Sequence, residues 1–107
     1  MIINLTPHTI NVRLADGSEL AFVPTAPAAR VATTREVVGE VNGIPICRTT
    51  YGQVENLPEQ KEGTMYVVSL LVLQVAPERR DLVAPDSGPS AIREGGQVKA
   101  VTGFVTL

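Results

Sequence analysis

The dipeptide Asn42-Gly43 constrains the fold more than any other feature of this sequence. Asn-Gly is the preferred pair for a type I′ turn, which needs positive φ at both central positions and joins two antiparallel strands. Residues 31–41 mix Val, Thr and charged side chains before the turn, and β-branched and polar side chains resume in residues 44–51 after it. The sequence therefore predicts a long antiparallel hairpin over residues 31–51, followed by a bulge or bend at Gly52.

The longest apolar stretch covers residues 65–76 and is interrupted by Ser69. Residues 64–68 are typical of a strand, whereas residues 70–76 show no clean alternation and fit either a buried helix or a continued strand. Ser69 favours the helix, because a serine hydroxyl at an N-cap accepts a backbone N–H of the first turn. We therefore expect a short helix after Ser69, ended by the charged residues 77–81. The stretch is too short to span a membrane, so we expect no membrane partner.

Turn residues divide the rest of the chain into short strands. Pro7 and Asp16-Gly17 separate three segments that predict a β-meander in the first quarter, and Gly95-Gly96 predicts a closing hairpin whose second strand covers residues 98–105. A chain of 107 residues is long enough for one core and too short for two. We expect a single domain (residues 1–107) of the α+β class, mostly antiparallel β-sheet built from hairpins, with one short helix after Ser69.

Composition limits the partners. The aromatic share is 4% with no Trp, so the core must be built from small aliphatic side chains, and a homo-oligomer would help to bury the remainder. A net charge of −2 opposes binding to nucleic acid polymers, which requires a basic face. Cys47, the only cysteine, cannot form an internal disulfide and is predicted to be a buried strand residue. The chain begins without a secretion signal pattern, so we expect the cytoplasm.

No complete catalytic, metal or cofactor signature occurs in the sequence. His8 is the only histidine, which excludes a site with two histidine ligands. Ser69 lacks the flanking glycines of a nucleophile elbow. The carboxylates are scattered and select no catalytic pair, and no phosphate-binding loop of the Gly-x-x-x-x-Gly-Lys-Ser kind is present. The sequence therefore indicates binding rather than covalent catalysis, with no metal and no cofactor.

Arg79, Arg80 and Asp81 form the sharpest charged cluster. A solvated helix end would explain it, because cations are stabilised near a helix C-terminus. The alternative is that one arginine binds a ligand phosphate while Asp81 orients the guanidinium or binds a ribose hydroxyl. Ser69 is explained as a helix cap, but the N–H groups that follow it would also attract phosphate.

Three further residues complete the candidate ligand site. Tyr51 could stack on a base, and Arg48, three residues away on the same strand, would point to the opposite face unless a bulge intervenes. His8 follows Thr-Pro and is explained as a turn residue whose ring bonds a carbonyl, or as a group that fixes sugar hydroxyls together with Asp81. The candidate ligand-binding residues are His8, Arg48, Tyr51, Ser69, Arg79, Arg80 and Asp81.

Four motifs carry a resemblance to a known group of proteins. They are Ile-Asn-Leu-Thr-Pro-His at residues 3–8, Val-Val-Gly-Glu-Val-Asn-Gly-Ile-Pro at residues 37–45, Gly-Thr-Met-Tyr-Val-Val-Ser at residues 63–69 and Pro-Glu-Arg-Arg-Asp at residues 77–81. Together they resemble a family of small proteins of bacteriophages and prophage-bearing bacteria, over nearly the whole chain. The resemblance implies a viral protein in the host cytoplasm, a setting in which many small acidic proteins counter host immunity.

By analogy with phage proteins that resemble sponges for cyclic nucleotide or cyclic ADP-ribose signals, we expect capture of a small phosphate-bearing, nucleotide-like signal without turnover. One alternative is a small hydrolase of such a signal, with His8 as acid or base. Another is a β-rich protein–protein interaction module that uses an exposed β edge or the strand face of residues 33–36.

Overall fold

The computed structural model describes all 107 residues and contains ten strands and one helix. The strands are β1 (Ile2–Asn4), β2 (Ile10–Arg13), β3 (Glu19–Phe22), β4 (Arg30–Val41), β5 (Ile44–Glu55), β6 (Met65–Val67), β7 (Leu82–Pro85), β8 (Ile92–Glu94), β9 (Gln97–Ala100) and β10 (Phe104–Val105), and helix α1 (Leu70–Val75) lies between β6 and β7. The chain is mostly β with one short helix, as the sequence predicted.

A four-stranded sheet in the order β1-β6-β7-β10 forms the centre. Its β1–β6 and β6–β7 pairs are parallel, and only the β7–β10 pair is antiparallel. The β6–β7 pair is parallel because α1 carries the chain back to the same end of the sheet, which a tight hairpin turn cannot do. The other sheets are two-stranded and antiparallel: β2–β3, β4–β5 and β8–β9.

The core lies on both faces of the central sheet. Along β6 and the residue after it, Tyr66 and Val68 belong to one buried cluster and Val67 to another, because successive strand residues point to opposite faces. The larger cluster contains Leu73 of α1, and partly buried residues at the base of the β4–β5 hairpin pack against it. The smaller cluster contains Ile10 of β2. Helix α1 therefore covers one face of the sheet and the β2–β3 hairpin the other.

The predicted start of the helix at Ser69 is confirmed. Ser69 has extended backbone geometry, and its hydroxyl accepts the N–H of Val72 at 3.3 Å. The helix closes at Ala76, whose N–H binds the Val72 carbonyl, and Pro77 follows directly. Proline cannot donate to the last helical carbonyls, so the chain turns toward Asp81 and enters β7.

The predicted hairpin at Asn42-Gly43 is also confirmed, and it is longer than expected. Asn42 and Gly43 have φ angles of 51° and 80°, the positive values that a type I′ turn requires. The predicted bulge at Gly52 is present, because Gly52 and Gln53 together lie opposite Ala32. A second irregularity occurs in β4 between Val37 and Gly39.

Three local predictions were wrong. The first strand does not continue into a meander, because β1 pairs with β6 rather than with β2. The closing hairpin ends at Ala100, and the chain then starts β10, which pairs with β7 instead of extending β9. Cys47 is only partly buried, since its strand projects away from the core.

Candidate functional site

Arg79 and Asp81 form a bidentate ion pair directly before β7, at one end of the central sheet. Nε and Nη2 of Arg79 donate to the two carboxylate oxygens of Asp81 at 2.9 and 2.7 Å, and the two side chains are 17% and 4% exposed. The backbone holds this geometry: the Arg79 N–H binds the Ala76 carbonyl, and the Asp81 carbonyl accepts the Tyr66 N–H. The ion pair therefore closes the turn between α1 and β7, and the backbone of Asp81 fastens this turn to β6.

The electrostatics of the pair favour both charged forms. The hydrogen bonds from Arg79 hold the pKa of the Asp81 carboxyl below its usual range, although burial acts in the opposite direction. The same hydrogen bonds raise the pKa of Arg79 further above its ordinary value. Both oxygens of the Asp81 carboxylate and the Nε–Nη2 edge of the Arg79 guanidinium are used within the chain, which leaves Nη1 of Arg79 without a hydrogen-bond partner.

Arg80 is the member of the cluster that remains open. It is exposed and takes part in no ion pair or side-chain hydrogen bond. One open cavity of about 440 Å³ is lined by Arg80, Asp81, Lys61 and Thr64, among others. A second open cavity of about 440 Å³ is lined by Pro77, Arg79, Arg80, Thr106 and Leu107. Arg80 thus stands between two concave surfaces.

Ser69 lies at a different place. It borders an open cavity of about 460 Å³ together with Pro7, Ala28, Ala29 and Arg30. Its hydroxyl already accepts the Val72 N–H. The cavities next to Arg80 do not include Ser69, so the structure does not bring the helix cap and the arginine cluster to one mouth.

His8 lies in the bend between β1 and β2, and its backbone carbonyl accepts hydrogen bonds that hold this bend. The buried Asn4 side chain donates to the carbonyls of His8 and Phe22, both at 2.8 Å, and its carbonyl oxygen accepts the N–H and the hydroxyl of Thr6 at 2.8 and 2.7 Å. Every hydrogen-bonding position of the Asn4 amide is therefore filled. The hydrogen bonds around the Asn4 side chain explain the motif Ile-Asn-Leu-Thr-Pro-His. The side chain of His8 itself is exposed.

Arg48 and Tyr51 lie on strand β5 of the β4–β5 hairpin, with Tyr51 nearer the base. Arg48 pairs across the ladder with Glu36 and approaches its carboxylate at 4.0 Å, whereas Tyr51 pairs with Thr33. The bulge at Gly52 comes after Tyr51, so Arg48 and Tyr51 stay on opposite faces of the hairpin. Neither residue lines any of the cavities that contain Ser69, Arg79 or Arg80.

The most unusual feature of the molecule is the exposure of the β4–β5 hairpin, which extends well beyond the strand face of residues 33–36. Residues 32–53, which we call the arm, are all exposed except Cys47, which is partly buried. The distal half carries large apolar side chains in the open: Val37, Val38, Val41, Ile44 and Ile46. The mix of Val, Thr and charged residues predicted a long, partly solvated strand, and in the structure only Val31 and Val54 at the base of the hairpin pack against the core.

The shape of the chain reflects the arm. Two strands of twelve residues extend for about 40 Å at the usual rise. The longest dimension of the chain is 53 Å, and its radius of gyration is 16.4 Å, against about 13 Å for a compact chain of this length. A two-stranded ribbon of this kind is at best marginally stable in water by itself.

Other kinds of site are missing from the structure. No three His, Cys, Asp or Glu side chains are grouped as metal ligands would be. No helix has the length and apolar character needed to cross a membrane. Comparison of the chain with protein-family models, with curated proteins and with solved structures found no match.

Proposed function

We propose that this protein is a β-rich protein–protein interaction module and that the arm is its binding element. The observation that carries the proposal is the exposure of Val37, Val38, Val41, Ile44 and Ile46 on the distal half of a ribbon that packs on the core only at its base. Soluble monomers rarely leave large contiguous apolar surface uncovered.

The energy available at the arm is enough for specific binding. Complete burial of one Val or Ile side chain stabilises by about 1.5–3 kcal/mol, and these five are roughly half exposed, so a partner that covered them would gain on the order of 5 kcal/mol. The aromatic ring of Tyr51 is also half exposed and lies nearer the base of the arm, on the face that carries Val37 and Cys47. Aromatic side chains are enriched among the residues that dominate interfaces.

Site-specific photocrosslinking tests the proposal. A photoreactive phenylalanine replaces Val41 on the arm, and in a control it replaces Leu20, an equally solvent-accessible strand residue of β3. The proteins are irradiated in a bacterial host of the kind that the phage resemblance implies, and adducts are separated by mass. We expect a discrete protein adduct at position 41 and none at position 20. Absence of an adduct at position 41 would exclude the arm as a binding element.

Capture of a small phosphate-bearing ligand without turnover is a second candidate, which Arg80 favours. This guanidinium is unpaired and stands between two open cavities, one of which also contains Lys61. Guanidinium groups bind phosphate in a planar, bidentate manner. Because Arg79 is occupied by Asp81, the ligand would depend on Arg80 rather than on the arginine pair.

Titration with adenosine monophosphate and with inorganic phosphate, followed by NMR, tests this second function. We expect Arg80→Ala to weaken binding at least about tenfold, the loss of one charge-assisted hydrogen-bonding group. Arg93→Ala, which removes the same charge at another exposed site, should leave the affinity unchanged. Equal affinity of the wild type and Arg80→Ala would exclude the site, and a changed nucleotide after incubation would favour the hydrolase alternative.

A further inference from the structure

We infer that the partner of the arm is a second copy of this chain, packed arm against arm. This inference rests on the proposed function, since it names the partner of the same surface. The first argument is the amount of exposed surface. The chain exposes 7379 Å², whereas a folded monomer of 11.4 kDa exposes about 5800 Å².

The excess matches what a dimer buries. About 1600 Å² per chain amounts to about 3200 Å² for two copies, which lies within the range of about 2000–5000 Å² for obligate homodimer interfaces. A compact partner that touched only the end of the hairpin would leave most of this excess uncovered. A second arm of the same length, lying alongside the first, buries surface along the whole ribbon on both chains at once.

One face of the distal arm is suited to this contact. In the ladder Gly39 pairs with Ile46 and Val41 with Ile44, and because successive pairs alternate, these four residues share one face, which we call the tip face. A Cβ atom at Gly39 would meet no other atom within 4 Å, so the backbone there lies open beside Ile46. Ile44 is 65% exposed. The tip face is therefore an open apolar surface without a bulky obstacle.

Charge on the arm allows self-association. Toward the base, the same face continues into Glu36 and Arg48, a side-by-side pair of opposite charges. In a two-fold interface, a contact from residue i of one copy to residue j of the other is always accompanied by the contact from j to i. Glu36 of each copy can therefore face Arg48 of its partner without repulsion between like charges. Arg35 and Glu40 balance each other as well, which makes residues 32–53 neutral although the whole chain carries −2. Two copies thus meet through a part of the molecule whose net charge is zero.

The edges of the arm are unsuited to an alternative, open-ended assembly. Pro45 has no N–H to donate at the edge of β5, and the irregularity between Val37 and Gly39 interrupts β4. Proline and bulges are the devices by which natural sheets prevent edge-to-edge pairing. Face-to-face packing of two ribbons, about 10 Å apart as in other stacked sheets, remains available and closes as a dimer.

Light scattering coupled to size-exclusion chromatography tests the inference on the purified full chain. We expect the wild type at micromolar concentration to have twice the mass of the 11.4 kDa chain. The double variant Ile44→Lys and Ile46→Lys should be monomeric, with the association weakened at least about a hundredfold because two ammonium groups would have to be buried. The control, Leu20→Lys and Val98→Lys, changes two exposed apolar strand residues outside the arm and should stay dimeric.

The possible outcomes separate this inference from the proposed function. A monomeric wild type, or a dimer that persists in the tip-face variant, overturns the inference. If the wild type is monomeric while photocrosslinking at position 41 yields an adduct whose mass is not twice that of the chain, the arm is a binding element for another protein and only the inference fails. A monomer without any adduct removes both. Circular dichroism of each variant verifies that the fold is retained, which is expected because all four changed positions are exposed.

Discussion

Replacing Arg79 by alanine tests the reading of the charged cluster as a structural fastening. The change removes both hydrogen bonds to the Asp81 carboxylate and leaves a carboxylate that is 4% exposed without its partner. Breaking a buried ion pair in this way costs about 3–5 kcal/mol. Arg79 itself is 17% exposed, so water can reach the carboxylate in its absence, and we expect a loss near the lower end, about 3 kcal/mol.

This loss converts into a measurable shift of the melting temperature. With an unfolding entropy of about 2.1 cal/mol/K per residue, a chain of 107 residues should melt about 13 °C lower. Arg80→Ala is the matched control: the neighbouring arginine is exposed and unpaired, and its removal should change the unfolding free energy by no more than about 0.5 kcal/mol.

Differential scanning calorimetry and urea unfolding of both variants provide the two readouts. A further variant, Arg79→Met with Asp81→Leu, should recover most of the lost stability, because an apolar pair leaves no buried charge unpaired. Equal melting temperatures for Arg79→Ala and Arg80→Ala would refute the structural role of the pair.

Three other predictions concern the same framework. Asn4→Ala removes four hydrogen bonds at a buried site and leaves the Thr6 N–H without a partner, so urea unfolding should show a loss of about 3 kcal/mol. Asn11→Ala, which loses one long, exposed hydrogen bond, should lose well under 1 kcal/mol. The pKa of Asp81 is depressed in the folded state, so this carboxylate contributes stability that is fully present above its unfolded pKa of about 3.9 and is lost as the pH falls through the lower folded pKa. The difference in unfolding free energy between the wild type and Asp81→Asn should therefore be constant from pH 7 to pH 5 and disappear below about pH 4. Ser69→Ala removes the helix cap and should cost about 1 kcal/mol, while Ser69→Gly costs only a few tenths; a larger loss in the glycine variant would contradict capping.

Features that depend on a few neighbouring residues were predictable from the sequence. The turn at Asn42-Gly43 follows from the low cost of positive φ for these two residue types, and the start of α1 follows from a hydroxyl at Ser69 ahead of an apolar run. Gly52 likewise marked the bulge correctly. In each case the local chemistry and the tertiary structure favour the same conformation.

Long-range pairing was not predictable in this way. β1 pairs with β6 across about sixty residues of chain, and the Asn4 side chain at the end of β1 ties the bend at Thr6 and His8 to the end of β3. Propensity and alternation carry no information about which strand will be the neighbour. A short segment between two turns was therefore assigned to the nearest hairpin, and the parallel pairs of the central sheet were missed.

The candidate ligand site shows the same limit for side chains. The sequence places Arg79, Arg80 and Asp81 next to each other but does not indicate that Asp81 is buried and occupies Arg79 rather than Arg80. The sequence also does not predict that the arm projects from the core. Residues 31–51 have the pattern of a half-buried hairpin, and nothing in that pattern specifies whether the covering surface belongs to the same chain or to another one.

A distance measurement between arms tests the proposed assembly most directly. The only cysteine, Cys47, lies on the arm, on the face opposite to Ile46, so a nitroxide label attached there leaves the tip face free and puts one spin on each chain. Arm-to-arm packing predicts dipolar coupling between two labels, with a single defined distance, that disappears in the variant Ile44→Lys with Ile46→Lys. A labelled wild type without intermolecular coupling at micromolar concentration would contradict the assembly of this protein through its arm.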